Sequence, residues 1–222
     1  EMCIRDRYKG ELKLDGKNLN VVAINYEKEE QVSETKVVES IHHIHVLDRS
    51  YSMSRDIDTL IDNVIETFKH IGPQDLISVI WFASEDQCKV LFKGASVHMK
   101  DMIIKKLDSI RDCVGCTCFS EPLKQVKEVM DDLEDLCPNF NVAFFTDGCT
   151  VTPWSNQEEK ERIFNILEPL SSRLLAFNTI GYGNWYDEEL LVKMASNSMF
   201  GRFTHSRMID DYSTIFKHEY EN

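Results

Sequence analysis

Apolar residues gather into short, nearly continuous runs, separated by stretches in which they recur at the helical period. The runs are residues 41–47 (IHHIHVL), 76–83 (LISVIWFA), 141–146 (NVAFFT) and 174–180 (LLAFNTI). Runs this short and this continuous mark strands covered on both faces. Residues 88–93 (CKVLFK) alternate instead, which predicts an edge strand joined to the previous one by the polar turn 84–87. Residues 201–205 predict a further short strand.

Between the runs, Ile57, Leu60, Ile61, Val64, Ile65, Phe68 and Ile71 form an apolar stripe that predicts a helix from Ser54 to Gly72-Pro73. Leu123, Val126, Val129, Met130, Leu133 and Leu136 predict a second over 120–136, with Pro122 allowed in its first turn. Further helices are expected over 99–110, 157–171, 187–195 and 209–217. Strands alternating with helices predict an α/β fold: a Rossmann-like, doubly wound, mostly parallel sheet with one antiparallel edge strand.

The N-terminal stretch follows another pattern. Residues 11–26 read as two strands around Asp15-Gly16, and 27–40 are polar enough for a loop or an exposed strand. Residues 9–40 are therefore expected to be a small β extension packed on the main domain. The opening EMCIRDR resembles translated sequencing-adapter sequence, so residues 1–8 are set aside and the natural chain is expected to start earlier. The division is 1–40 for the extension and 41–219 for the main domain.

With 42% hydrophobic and 28% charged residues, the composition is that of an ordinary globular protein. The net charge of −13 disfavours a nucleic-acid backbone or an anionic membrane as partner. No apolar run approaches the roughly 20 residues of a membrane span, and no signal-peptide pattern opens the chain. Seven cysteines at irregular spacing suggest reduced thiols, and with them a cytoplasmic location.

Chemistry concentrates where the first buried run ends. Asp48 is followed by hydroxyls at Ser50, Ser52 and Ser54. Two readings are open at this point. Ser52 or Ser54 could cap the following helix while Asp48 accepts loop amides. Alternatively, the oxygens could hold a hard cation, because Asp and Ser supply no soft ligand. Asp147-Gly148 likewise ends a buried run, and ligands of open parallel sheets sit beyond such strand ends.

Asp48-x-Ser50-x-Ser52, then Thr117, then Asp147 resembles the D-x-S-x-S…T…D metal-ion-dependent adhesion site of von Willebrand factor A domains. Gly115-Cys116-Thr117-Cys118 is similar to that family's G-G-T-N segment, and IGYGNWYDEELLVKMASNSMFGRFTHS to its last helix and strand. The likeness covers about residues 41–218. Two departures stand out: Tyr51 replaces a frequent Gly, and Cys116 and Cys118 flank Thr117. The resemblance implies Mg²⁺ (or Mn²⁺) held directly by Ser50, Ser52 and, in one state, Thr117, with Asp48 and Asp147 acting largely through water. It implies a protein partner whose Asp or Glu carboxylate completes the ion, and a binding module rather than an enzyme, alone or within a larger assembly. Tyr51, Trp154 and Tyr182 are the expected rim of the partner surface, with Trp185 a further candidate.

Two alternatives compete with this reading. A phosphotransferase or phosphatase could use Asp48 as a nucleophile, but Ser50 stands where a haloacid-dehalogenase-like enzyme needs a second Asp. Cys113, Cys116 and Cys118, with Cys149, could hold zinc, against which stands a reading as small buried thiols. His42, His43 and His45 are expected to be hydrogen-bonded core residues of a covered strand.

Overall fold

The computed structural model describes residues 4–14, 17–26 and 40–206. The chain divides into two compact units, 1–38 and 39–222. In the first, β1 (Ile4–Leu14) and β2 (Lys17–Tyr26) form an antiparallel hairpin that closes with Leu14 opposite Lys17. The hairpin is longer than the alternation predicts: β1 starts at Ile4, inside the segment set aside on sequence grounds. Residues 27–39 and the helix expected over 209–217 lie outside the described residues.

The second unit is built on a six-stranded sheet. Its strands are β3 (Ile41–Asp48), β4 (Leu76–Phe82), β5 (Cys88–Ser96), β6 (Asn139–Thr146), β7 (Leu174–Tyr182) and β8 (Phe203–Ser206), in spatial order β5-β4-β3-β6-β7-β8. Every neighbouring pair is parallel except β4 with β5. Helices α1 (Ile57–Thr67), α2 (Lys100–Asp108), α3 (Ser120–Leu133), α4 (Asn156–Leu170) and α5 (Glu188–Ala195) flank it.

Strand periodicity explains why these runs lack an exposed polar face. On β3, Ile44 and Val46 join one core cluster with α3, α4 and α5 residues such as Val126, Ile163 and Leu191. Leu47 joins the cluster on the other face with Leu60, Ile61 and Val64 of α1 and Ile103 and Leu107 of α2. On β6, Phe140, Val142 and Phe144 point one way and Ala143 and Phe145 the other. Burying each large side chain contributes about 1.5–3 kcal/mol, so both faces of the sheet are firmly covered.

The three histidines of β3 are core residues. His42 Nε2 meets Ser78 Oγ at 2.8 Å, and His45 Nε2 meets Thr67 Oγ1 at 3.0 Å. His43 pairs with Asp75, whose carboxylate also accepts the amides of Ile41 and Gly72.

The helix predicted from Ser54 to Gly72 is shorter and preceded by a different element. A 3₁₀ turn occupies Tyr51–Arg55, and α1 starts only at Ile57. At the far end the amides of Phe68, Lys69 and His70 bond to carbonyls three residues back, so the last turn tightens and the α-helix stops at Thr67. The apolar stripe survives both changes, because Phe68 and Ile71 stay buried beyond the helix end. Likewise, the helix expected over 99–110 opens with a 3₁₀ turn (Val97–Met99), and Leu136 is left exposed beyond the end of α3.

Candidate metal centre

The chain runs from β3 through α1 to β4 on one side, and from β6 through α4 to β7 on the other. β3 and β6 are neighbours whose onward connections diverge, which makes the gap beyond their carboxyl ends a topological switch point. Asp48 ends β3 and Asp147 follows the last residue of β6, so the two carboxylates flank this gap.

Asp48 is wholly buried, and both its oxygens are engaged. Oδ1 accepts the amide of Ser50 at 2.8 Å, and Oδ2 accepts the hydroxyl of Thr146 at 2.6 Å. Ser50 Oγ lies 2.9 Å from Ser52 Oγ, and Ser52 in turn donates to Asp147 Oδ1 at 2.8 Å. The chain from Thr146 through Asp48, Ser50 and Ser52 to Asp147 is therefore continuous in oxygen-bearing groups. Neither Ser52 nor Ser54 caps α1: its N-cap is Asp56, with no side-chain capping bond, and Ser54 Oγ bonds the Tyr51 carbonyl. Of the two readings open in the sequence, helix capping by these serines is not what the fold adopts, although Asp48 does accept a loop amide.

Thr117 arrives from a separate loop stitched in from three sides. Tyr51 N bonds Gly115 O, Cys118 N bonds Ala83 O, and Val151 N bonds Thr117 O at 3.2, 2.8 and 2.7 Å. Gly115 has φ +65°, and a Cβ there would fall 2.0 Å from Gln87 Oε1, so the turn that delivers Thr117 needs glycine. A Cβ placed on Gly148 would stand 3.5 Å from Ser52 Oγ and 3.6 Å from Thr117 Oγ1. Both hydroxyls thus converge on the space beside Gly148.

The five residues Asp48, Ser50, Ser52, Thr117 and Asp147 are therefore brought to one place. Ser52, Thr117, Asp147 and Gly148 line a pocket of about 530 Å³ together with Arg55, Asp56, Cys149, Val151, Gly183, Asn184 and Trp185.

The electrostatics are unbalanced. Burial pushes the Asp48 carboxyl up to about 7, with nearby Asp147 adding to the rise and the bonds from Thr146 and Ser50 opposing it. Burial also raises Asp147, and Asp56 adds to it. Among the described residues neither carboxylate has a cationic partner within ion-pair distance. Arg49, next to Asp48 in sequence, turns away to Asp112 and lies over the Trp81 ring at 4.4 Å. Two buried acids sharing a hydroxyl-rich cradle without a cation form a donor set that fits a hard divalent ion.

Among the described residues no group of three or more His, Cys, Asp and Glu side chains is placed to hold a metal. The site has two carboxylates, and its remaining oxygens are hydroxyls. The same finding bears on the cysteine alternative: Cys116 is exposed, Cys113 half-buried and Cys118 buried beside Ser120 and Glu159, all as free thiols. As for Asp48 as a nucleophile, its carboxylate is fully buried and each of its oxygens already accepts a hydrogen bond.

The expected rim is corrected in part. Tyr51 is 68% exposed, as a contact residue must be. Tyr182 is 2% exposed and its hydroxyl takes a bond from Asn63, because it is the last residue of a covered strand rather than the first of a loop. Trp154 is half-buried: its indole N–H bonds Glu159, and Arg162 lies over its ring. Trp185, by contrast, is 85% exposed and lines the pocket. Thr146 was missed on sequence; its place directly before Asp147, opposite the end of β3, is the signal that could have found it.

The family model described as von Willebrand factor type A domain matches residues 44–150. The fold is that of von Willebrand factor A domains. A von Willebrand factor type A structure from Catenulispora acidiphila superposes with a TM-score of 0.66 at 14% identity, over 82% of this chain and 42% of that one. Proximal thread matrix protein 1 from the mussel byssus, with a zinc-occupied metal-ion-dependent adhesion site, gives 0.61 at 20% identity, over 81% and 44%. Manganese-loaded TRAP protein of Plasmodium vivax gives 0.62 at 15% identity, over 81% and 73%. The chain spans less than half the length of the first two. No curated protein matches the sequence.

Proposed function

We propose that the von Willebrand A domain of this chain is a divalent-metal-dependent protein-binding module. The observation that carries the reading is the convergence of Asp48, Ser50, Ser52, Thr117 and Asp147 at the switch point, with two buried carboxylates that form no ion pair among the described residues. Metal-loaded structures of the same fold support it: one is described as zinc-occupied and one as manganese-loaded.

The ion is Mg²⁺ or Mn²⁺, because the donor set is oxygen alone and offers no soft ligand. Ser50, Ser52 and Thr117 would hold it through their hydroxyls, and Asp48 and Asp147 would neutralise it largely through water. Bound there, the ion supplies Lewis acidity toward one anionic oxygen from outside. Asp48 orients the loop through Ser50 N and Thr146. Ser52 holds Asp147 in place from the opposite strand end. A partner's Asp or Glu side chain completes the shell, with Tyr51 and Trp185 flanking it as exposed aromatic contacts.

The partner is a protein, met alone or within a larger assembly, and the compartment we propose is the cytoplasm, which suits the free cysteines. Capture of partners from a lysate, with and without EDTA, tests the reading when run beside Asp48→Ala. Chelator and substitution are each expected to abolish the same captured species. Capture that survives both would contradict the proposal.

A further inference from the structure

Glu159 is a charged residue with no exposure at all, and the metal centre does not use it. It sits in the first turn of α4, yet its carboxylate faces the N-terminus of α3. Oε1 accepts the amides of Phe119 at 2.9 Å and Ser120 at 2.8 Å. Oε2 accepts Ser120 Oγ at 3.0 Å and the indole N–H of Trp154 at 2.5 Å. The N-cap residue of α3, Phe119, has no side chain able to cap, so Glu159 supplies the cap from another helix.

The bonded groups belong to two loops. Phe119 and Ser120 continue the strand of loop that carries Thr117. Trp154 lies three residues past Val151, whose amide holds the Thr117 carbonyl at 2.7 Å. The same loop begins at Asp147. One carboxylate therefore grips both the loop bearing Thr117 and the loop bearing Asp147, without lining the pocket.

We propose that Glu159 is the positioning residue of the metal centre, fixing Thr117 relative to Asp147. This rests on the metal reading given above. Four N–H and O–H bonds to one buried carboxylate, with the Cys118 thiol as a fifth and weaker donor, are geometrically restrictive. Buried ionic groups are costly unless fully bonded, and here the bonding is complete. Glutamine keeps the shape but replaces one acceptor oxygen by a donor, which faces either the two amides or the Ser120–Trp154 pair. One half of the clamp is then lost.

The test is a double-mutant cycle in Mn²⁺ affinity, measured by calorimetry on the full chain, together with amide hydrogen exchange on the metal-free protein. Glu159→Gln is expected to weaken Mn²⁺ binding by roughly 2- to 30-fold, the range for residues acting through a packed network. In a Thr117→Ala background the same change should have almost no further effect. Exchange should quicken over 115–120 and 150–154 and stay unchanged in the central strands. Trp154→Phe, which removes only the indole N–H, should give a smaller loss of the same kind and keeps the test decisive should Glu159→Gln fail to fold.

Equal losses in both backgrounds, or unchanged affinity, would overturn the positioning role. So would unchanged exchange over the two loops. Absence of Mn²⁺ binding by the unmodified chain would sink the metal reading instead, and exchange over the two loops would then decide whether the clamp exists.

Discussion

Ser52 donates its hydroxyl to Asp147 across 95 residues of sequence, at 2.8 Å. That bond closes the ring of oxygens between the ends of β3 and β6. It also leaves Asp147 close enough to buried Asp48 to repel it, and among the described residues neither forms an ion pair. Replacing Asp147 by Asn removes this repulsion, so Asp147→Asn is expected to raise the metal-free melting stability, by about 1 kcal/mol, while abolishing the gain from Mg²⁺. Calorimetric melting with and without ion measures both. A variant less stable without metal, yet fully responsive to it, would contradict the arrangement.

The buried histidines make stability depend on pH in a predictable direction. Burial, helped by the neighbouring histidines, pushes His45 down to about 3. The unfolded chain therefore takes up a proton near pH 6.5 that the folded state refuses. A depressed folded-state value in a base means that stability is complete above pH 6.5 and drains away as pH falls toward 3. The slope is about 1.4 kcal/mol per pH unit for such a group. His45→Gln removes this titration, so the advantage of wild type over the variant should shrink on going from pH 7 to pH 5. Urea denaturation at each pH reads it, and a constant difference would contradict a buried neutral His45.

Trp185 and Tyr182 separate surface from core. Trp185→Ala should leave both melting and the metal response unchanged and weaken partner capture, since aromatic residues dominate binding energy at interfaces. Tyr182→Phe should do the reverse. It strands the Asn63 amide that now donates at 2.9 Å, and is expected to lower stability by about 1–3 kcal/mol with capture intact. Measuring capture and melting on both variants checks the assignment, and loss of capture on Tyr182→Phe alone would reverse it.

The parts legible in the sequence are those governed by local pattern. Nearly continuous apolar runs announced strands covered twice, and the alternation of 88–93 announced the antiparallel edge that β5 occupies. That Asp48, Ser50 and Ser52 share one turn was legible locally, while their meeting with Thr117 and Asp147 was expected only from the resemblance to the family motif. What escaped depends on contacts distant in sequence. The early start of the 3₁₀ turn at Tyr51 reflects serine side chains engaged with one another and with Asp147 rather than with a helix end. Tyr182 looked like a loop residue because Gly181 and Gly183 bracket it, yet β7 runs two residues past its apolar run and takes Tyr182 into the core. Trp154 could not be told from Trp185 without knowing that Glu159 faces it.

The hydroxyls beside Asp48 and Asp147 are proposed to hold one divalent ion. Isothermal titration of Mn²⁺ into the metal-free chain and into the Ser50→Ala, Ser52→Ala double variant measures this. One ion should bind the wild type and raise its melting temperature by mass action, while the double variant, still folded, should show neither heat of binding nor shift. An affinity unchanged in the double variant would place the ion elsewhere and contradict the account.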